Sequence, residues 1–221
     1  MELHRLLGIK RGVTAVIGAG GKTTLLYTLG RELAEGHTVL LCTTTKIFPF
    51  PDLPCARTAA ELDALRRSHR LLCTGTEIPG TGKLTAPETP MAALAERFDY
   101  VLVEADGAAR RPLKAHAPHE PVVPAQAGRV ILVAGGRGLG RPVREAVHRP
   151  EIFCHLTGCA PEEPVTAAAL GEAIRREGLG DCLLLNQAEE EAVQRSARQL
   201  ADLLEMPVFA GALERGAWWR C

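Results

Sequence analysis

One short segment constrains the fold of this chain more than any other. It follows the apolar run at 13–17, reads Gly18-Ala19-Gly20-Gly21-Lys22-Thr23-Thr24, and leads into a helical pattern over residues 23–35. Glycines let the backbone turn tightly and direct its N–H groups at an anion. A helix that begins here adds unpaired N–H donors and a partial positive charge. A strand, a glycine-rich turn and a helix in this order predict a cradle for nucleotide phosphates.

Lys22 and Thr23 make this prediction more specific. A lysine at this position reaches the β- and γ-phosphates, and the threonine hydroxyl can ligate Mg²⁺. The full motif has a glycine five residues before Gly21, where this chain has Val16, so the motif is the short form G-x-x-G-K-T-T. A plain strand-to-helix turn would explain the glycines but not the Lys-Thr pair. We therefore assign nucleotide binding to Gly18, Ala19, Gly20, Gly21, Lys22, Thr23 and Thr24.

Apolar runs alternate with helical patterns along the rest of the chain. Strands are predicted near 13–17, 38–43, 70–74, 100–104, 129–134, 181–186 and 207–210, and helices near 23–35, 58–68, 88–97, 166–177 and 189–205. Most of the runs are continuously apolar, which is typical of strands buried on both faces of a parallel sheet. The pattern predicts an α/β protein, a three-layer α/β/α sandwich with a mostly parallel, P-loop NTPase-like sheet, in a single domain over residues 1–221. Ligands of such sheets bind beyond the C-terminal ends of the strands.

Composition narrows the range of partners. The formal net charge is zero and only 4% of the residues are aromatic, which argues against a surface for nucleic acid. No apolar run has the length of a membrane-spanning helix. The seven cysteines are scattered without a C-x-x-C pair, as expected of free thiols in a reducing compartment. We therefore expect a cytoplasmic protein with neither nucleic-acid nor membrane partners.

Polar side chains follow two of the predicted strands. Glu104 and Asp106 end the strand at 100–104 and point to the same side if the chain stays extended. One would hold Mg²⁺, directly or through water, and the other would orient a nucleophile. A solvated strand end would carry the same residues. The end of the strand at 38–43 offers further groups for Mg²⁺ or phosphate, namely Thr43, Thr44, Thr45 and Lys46. Threonine is also common in strands, so these residues could equally be structural.

Residues 107–120 are rich in cations. Arg110, Arg111 and Lys114 follow the two carboxylates, and they would clamp an anionic second substrate or the charge of a transition state. His116-x-x-His119 could bind a metal, and surface histidines would give the same spacing. A solvated face would also have this composition.

Asn186 follows the apolar strand at 181–186. In many GTPases the corresponding strand ends in Asn-Lys-x-Asp, whose Asn and Asp side chains bond to guanine. Gln187 and Glu189 depart from that motif. We therefore expect Asn186 either to contact a nucleotide base or to cap the next turn. The residues do not decide between ATP and GTP.

Several segments together resemble one family. The segments GAGGKTT, TTTK, VEADGAARRPLKAHAPHEP, HRPE and LLLNQAE are similar to those of the YqeC family, from Gly18 to Glu189. The resemblance implies a cytoplasmic accessory protein of selenium-dependent molybdenum hydroxylases, engaged in making or installing their selenium-containing cofactor. It implies the hydroxylase maturation proteins as partners. The glycine loop alone also resembles that of Mur-type ligases, whose other domains have no room here.

The leading hypothesis is Mg²⁺-dependent binding and hydrolysis of ATP or GTP in the maturation of that cofactor. Catalysis would involve Lys22, Glu104, Asp106, Arg110 and Arg111. The Mg²⁺ ion would be held by Thr23, Glu104 and Asp106. A kinase or phosphotransferase acting on a small acceptor is one alternative. A metallochaperone or delivery module switched by nucleotide is another, and an inert nucleotide pocket is the simplest.

Overall fold

The computed structural model describes residues 1–221, which form two compact units. Unit 1 comprises residues 1–16, 25–107 and 122–129, and unit 2 comprises residues 17–24, 108–121 and 130–221. The last two residues of strand β1 (Gly12–Gly18) and the first turn of helix α2 (Lys22–Ala34) belong to unit 2. None of the helices combines the length and the apolar character that crossing a membrane requires.

Unit 1 is built on parallel strands. Besides β1, these are β2 (Val39–Thr43), β3 (Cys55–Ala56), β4 (Leu71–Thr74) and β7 (Tyr100–Glu104), in the spatial order β1-β7-β2-β4-β3. A short antiparallel hairpin consists of β5 (Thr76–Ile78) and β6 (Lys83–Thr85). The unit also contains α1 (Leu3–Leu6), α3 (Ala59–Leu65) and α4 (Met91–Arg97).

Both faces of the unit 1 sheet are covered, which explains its uninterrupted apolar strands. On one face, Leu40 packs in a buried cluster with Leu62 of α3 and Leu94 of α4. On the other face, Leu41 packs against α2, where a Cβ added to Gly30 would lie 3.2 Å from the Leu41 Cδ2 atom. Because successive residues of a strand point to opposite faces, a strand between two helical layers needs apolar residues at every position.

Unit 2 contains the remaining elements. Its strands are β8 (Leu113–Lys114), β9 (Ala127–Gly135), β10 (Val147–His148), β11 (Cys182–Asn186), β12 (Val208–Ala212) and β13 (Ala217–Arg220); β9 enters this unit at Val130. The order is β9-β11-β12-β13, with β13 antiparallel to β12 and the others parallel, and β8 pairs with β10 separately. The helices are α5 (Val143–Ala146), α6 (Pro150–Thr157), α7 (Ala167–Glu177) and α8 (Glu191–Leu203).

The α/β class with a mostly parallel sheet is confirmed. All the strands and helices that the pattern predicts are present, with bounds that differ by a few residues. The pattern did not predict the strands β3, β5, β6, β8, β10 and β13, which have two to four residues each. Such short segments contain too few residues to show a period.

Candidate functional site

The glycine-rich segment forms a tight turn between β1 and α2. Gly18, Gly20 and Gly21 have φ angles of +91°, +80° and +136°. Residues with a Cβ atom rarely adopt such angles, so the turn requires glycine at these three positions. The sequence prediction of a strand, a turn and a helix is therefore realised with the backbone geometry that the motif implies.

Close packing also requires these glycines. A Cβ atom on Gly18 would lie 2.2 Å from the carbonyl oxygen of Val133, and one on Gly20 would lie 2.3 Å from the Cα atom of Gly135. The N–H of Ala19 donates to the same Val133 oxygen at 2.8 Å. The turn is thus held against the end of β9, within unit 2, and has no space for larger residues on that side.

Lys22 places a positive charge at this turn. It is the first residue of α2, and 5% of it is exposed. Its Nζ atom donates to the carbonyl oxygen of Gly18 at 2.7 Å, which holds the ammonium group against the loop. Thr23 is exposed and Thr24 is half-buried at the same helix start. A cation, the N-terminus of a 13-residue helix and a hydroxyl group therefore meet at one turn.

Asn186 supports the loop from the end of β11. It is buried, and its Nδ2 atom donates to the carbonyl oxygen of Gly20 at 3.0 Å. Its Oδ1 atom accepts a bond from the N–H of Leu213 at 3.2 Å. A Cβ atom on Gly21 would lie 2.2 Å from Nδ2. Contact between Asn186 and a base stays a prediction, but these bonds favour a role in holding the loop.

The two strand-end carboxylates lie in unit 1. Glu104 is 8% exposed and Asp106 is fully buried. In the strand register Glu104 lies between Val16 of β1 and Thr43 of β2, and the Thr43 hydroxyl donates to the Glu104 carbonyl oxygen at 2.8 Å. Val16 precedes Gly18 by two residues, so the carboxylates end the strand that neighbours β1. Their service to Mg²⁺ stays a prediction.

The cationic segment is partly internal, which changes the expected role of Lys114 as one of three cations that contact an anionic substrate. The side chain of Lys114 is fully buried, with Nζ 2.8 Å from Oε2 of Glu120, and Arg149 bonds to the same carboxylate. Burial raises the pKa of Glu120, but the hydrogen bonds from Arg149 and Lys114 outweigh this effect, and the pKa is lowered. Lys114 is therefore a structural cation and not one presented to a substrate.

The histidines of this segment are also separated. His116 is buried, and its Nδ1 lies 2.8 Å from Oε2 of Glu177, while its backbone N–H donates to Oε1 at 2.6 Å. His119 is exposed. No group of three or more His, Cys, Asp or Glu side chains is placed to hold a metal ion. The hypothesis that His116 and His119 together bind a metal ion therefore gains no support.

Arg110 and Arg111 remain at the surface. Both are exposed, and Ala109 and Arg110 have φ angles of +46° and +60°. The Arg111 guanidinium donates to the carbonyl oxygen of Glu145. Two consecutive non-glycine residues in the left-handed region are uncommon, and such strain clusters at functional sites. These arginines are the cations of the segment that a ligand can reach.

Unit 2 also contains a cavity of about 580 Å³ that the sequence did not reveal. Its lining includes Arg137, Gln187, Val193 and Arg215. The buried Oε1 atom of Gln187 has no hydrogen-bond partner, and the residue has a φ angle of +61°. In the sequence, Gln187 departs from a GTPase motif and Arg137 lies in a basic, glycine-rich segment after a predicted strand, but nothing marks Arg215.

Gly135 lies close to both the glycine loop and one residue that lines the cavity. A Cβ atom added to Gly135 would lie 2.8 Å from Oε1 of Gln187 and 2.9 Å from the Cα atom of Gly20. One residue at the end of β9 therefore touches both the loop and the cavity lining. A ligand bound at the loop has a neighbouring space of small-molecule size.

Two sequence comparisons with known proteins agree with the family resemblance. A family model described as YqeC protein matches residues 14–151. A relative from Escherichia coli (strain K12), described as uncharacterized protein YqeC, is 38% identical over 173 residues, which cover 74% of this chain and 67% of the relative. Among solved structures, chloroplast FtsY from Physcomitrella patens is 18% identical with a TM-score of 0.47. That match covers 95% of this chain and 61% of the other, so this chain spans about three fifths of its length.

The family match contains the glycine loop, both strand-end carboxylates and the cationic segment. The relative from E. coli extends the likeness over most of the chain. This chain belongs to the YqeC family.

Proposed function

We propose that this protein binds a nucleoside triphosphate with Mg²⁺ and hydrolyses it. The observation that carries the proposal is the glycine loop before α2, which has three positive φ angles and packs closely against the backbone of Val133 and Gly135 and the side chain of Asn186. An anion bound there would receive N–H bonds from the loop and the start of the helix, together with the favourable helix dipole. Lys22 adds a full positive charge at the same turn.

The residue types proposed for the metal are those that suit Mg²⁺. Mg²⁺ keeps several waters and is usually held by one or two carboxylates together with substrate phosphates. Thr23 would supply a hydroxyl, and Glu104 or Asp106 would supply the carboxylate. When bound, the metal neutralises phosphate charge. The second carboxylate would orient the attacking water.

The nucleoside part of the ligand would occupy the cavity beside the loop. The apolar side chain of Val193 offers a surface for a base, and Oε1 of Gln187 is an acceptor without a donor. Glu189 also lines the cavity and could accept N–H bonds from a base. In this proposal Asn186 holds the loop, and Gln187 and Glu189 discriminate between ATP and GTP.

The physiological role would be the maturation of the selenium-containing cofactor of a molybdenum hydroxylase in the cytoplasm. This part of the proposal rests on family membership. Arg110 and Arg111 would contact an anionic second substrate or a maturation partner, because guanidinium groups bind anions through paired donors. If that substrate accepts the phosphoryl group, the protein is a kinase; if hydrolysis is slow until a partner binds, it is a switch.

A titration with ATP, GTP and CTP, each with and without Mg²⁺, tests the proposal. We expect saturable binding of at least one triphosphate, tightened by Mg²⁺, followed by release of inorganic phosphate. Labelled phosphate found on an acceptor instead of in solution would identify a transferase. Absence of binding for all three nucleotides by a folded protein would contradict the proposal.

A further inference from the structure

Cys55 and Cys73 form a thiol pair in unit 1 that the proposed function does not use. The two residues are register partners on the parallel strands β3 and β4. Adjacent strands lie about 4.8 Å apart. A disulfide bond spans Cα separations of about 4.4–6.8 Å. The backbone spacing therefore suits a bond between these two sulfur atoms.

The two thiols differ in access and in acidity. Cys55 is half-buried on a two-residue strand at the sheet edge, whereas Cys73 is 1% exposed. A hydrogen bond with the Cys73 thiol lowers the pKa of Cys55, and the charge of Arg57 lowers it further. The same hydrogen bond and burial raise the pKa of Cys73. Cys55 is thus the accessible nucleophile, and Cys73 stays protonated beside it.

Other cysteines lack this arrangement. Burial raises the pKa of Cys42 to about 12, and burial also raises the pKa of Cys154 and of Cys221. A raised pKa leaves less of the thiolate that attacks disulfides. The Cys55–Cys73 pair is therefore distinguished by its register on adjacent strands and by the partial exposure of one member.

We infer that Cys55 and Cys73 are a reversible thiol–disulfide exchange site for low-molecular-weight disulfides such as glutathione disulfide. The Cys55 thiolate attacks one sulfur of glutathione disulfide, forms a mixed disulfide and releases one glutathione thiolate. In the mixed disulfide Cys55 no longer carries the thiolate charge that contributes to the raised pKa of Cys73. Cys73 then gives its proton to the released glutathione thiolate and attacks the Cys55 sulfur, and the second glutathione leaves as a thiolate. Two protein thiols are oxidised to one disulfide, and one small disulfide is reduced to two thiols.

The Cys55–Cys73 disulfide would link the edge strand β3 covalently to β4. In the dithiol form β3 is held to β4 by bonds such as Cys73 N–H to the Pro54 carbonyl oxygen at 2.8 Å and Thr74 hydroxyl to the Ala56 carbonyl oxygen at 2.9 Å. A covalent bond at the same place would limit opening of the Pro-rich segment 46–54, which leads into β3. The inference goes beyond nucleotide binding and does not depend on it.

The experiment uses the reduced full-length protein and glutathione disulfide. After acid quenching and alkylation, intact mass should show loss of two hydrogens, and peptide mapping should locate a Cys55–Cys73 bond that dithiothreitol reverses. Cys73→Ala should stop at the glutathione adduct on Cys55, and Cys55→Ala should leave Cys73 unmodified. Cys159→Ala, which changes a half-buried cysteine in unit 2, should behave like the parent.

Two results would overturn the inference. One is a parent protein that keeps a stable glutathione adduct on Cys55, and the other is a disulfide that maps only to other cysteines. Failure of the parent to react at all would also overturn it. Because the mapping is done on the parent, the outcome does not require that the Cys73→Ala variant folds.

Discussion

Replacing Gly20 by alanine should both destabilise the protein and weaken nucleotide binding. The new Cβ atom would lie 2.3 Å from the Gly135 Cα atom and 2.6 Å from the Pro112 carbonyl oxygen, both of which are backbone atoms. The φ angle of +80° adds strain of its own. Relief of the contacts requires the loop to move away from β9, which displaces the N–H groups proposed to bind phosphate.

A matched control variant separates the expected loss of stability into a contribution from backbone strain and one from the close contacts. Gly158 has a φ angle of +77°, but a Cβ atom there would meet nothing within 4 Å. Gly158→Ala should therefore cost only the left-handed strain, about 1–2 kcal/mol. Gly20→Ala should cost that amount plus about 1–3 kcal/mol for overpacking.

Urea unfolding of both variants and the parent measures these free energies, and calorimetric titration of the folded proteins measures nucleotide affinity. We expect Gly158→Ala to bind nucleotide like the parent and Gly20→Ala to bind more weakly. Equal loss of stability in the two variants, together with unchanged affinity in Gly20→Ala, would refute the argument that packing shapes the loop.

Three further predictions concern charges and bonds. The folded-state pKa of Glu120 is lowered, so its stabilisation is complete above its unfolded pKa of about 4.3 and is lost as the pH falls through the folded value. Glu120→Gln should thus destabilise the protein by up to about 3–5 kcal/mol near neutral pH and by less under acid conditions; a loss measured by urea unfolding that does not vary with pH would contradict this. Asn186→Ala removes two hydrogen bonds and should lower the free energy of unfolding in urea by about 1–3 kcal/mol. It should also weaken nucleotide binding in a titration, and parent-like values in both measurements would refute the supporting role of Asn186. Glu104→Gln and Asp106→Asn should retain nucleotide binding better than phosphate release, and unchanged turnover and Mg²⁺ dependence in both would remove these carboxylates from the site.

The main strands and helices could be predicted because their patterns are long. Continuous apolar runs mark strands covered on both faces, and Leu40 and Leu41 show both faces in use. The strand β3 was not predictable, since its two residues, Cys55 and Ala56, are placed by pairing with β4. Tertiary contacts, not local preference, create elements of this kind.

The glycine loop was predictable because one local motif contains all of its residues. The cationic segment was not, because several of the groups that hold its side chains lie far along the chain. Glu177 binds His116 from 61 residues away, and Arg149 joins Lys114 at Glu120. Charge alone cannot distinguish a cation presented to a ligand from one that is buried in an ion pair.

Lys22→Ala tests the central claim most directly, because Lys22 supplies the one full charge within the loop. Calorimetric titration with the Mg²⁺-triphosphate that binds the parent should show affinity at least about tenfold weaker, since a hydrogen bond to a charged group contributes about 1.5–3 kcal/mol. Lys10→Ala, which removes an exposed lysine outside the loop, should bind like the parent. A folded Lys22→Ala variant that binds the triphosphate with parental affinity would contradict the assignment of this loop as a phosphate site.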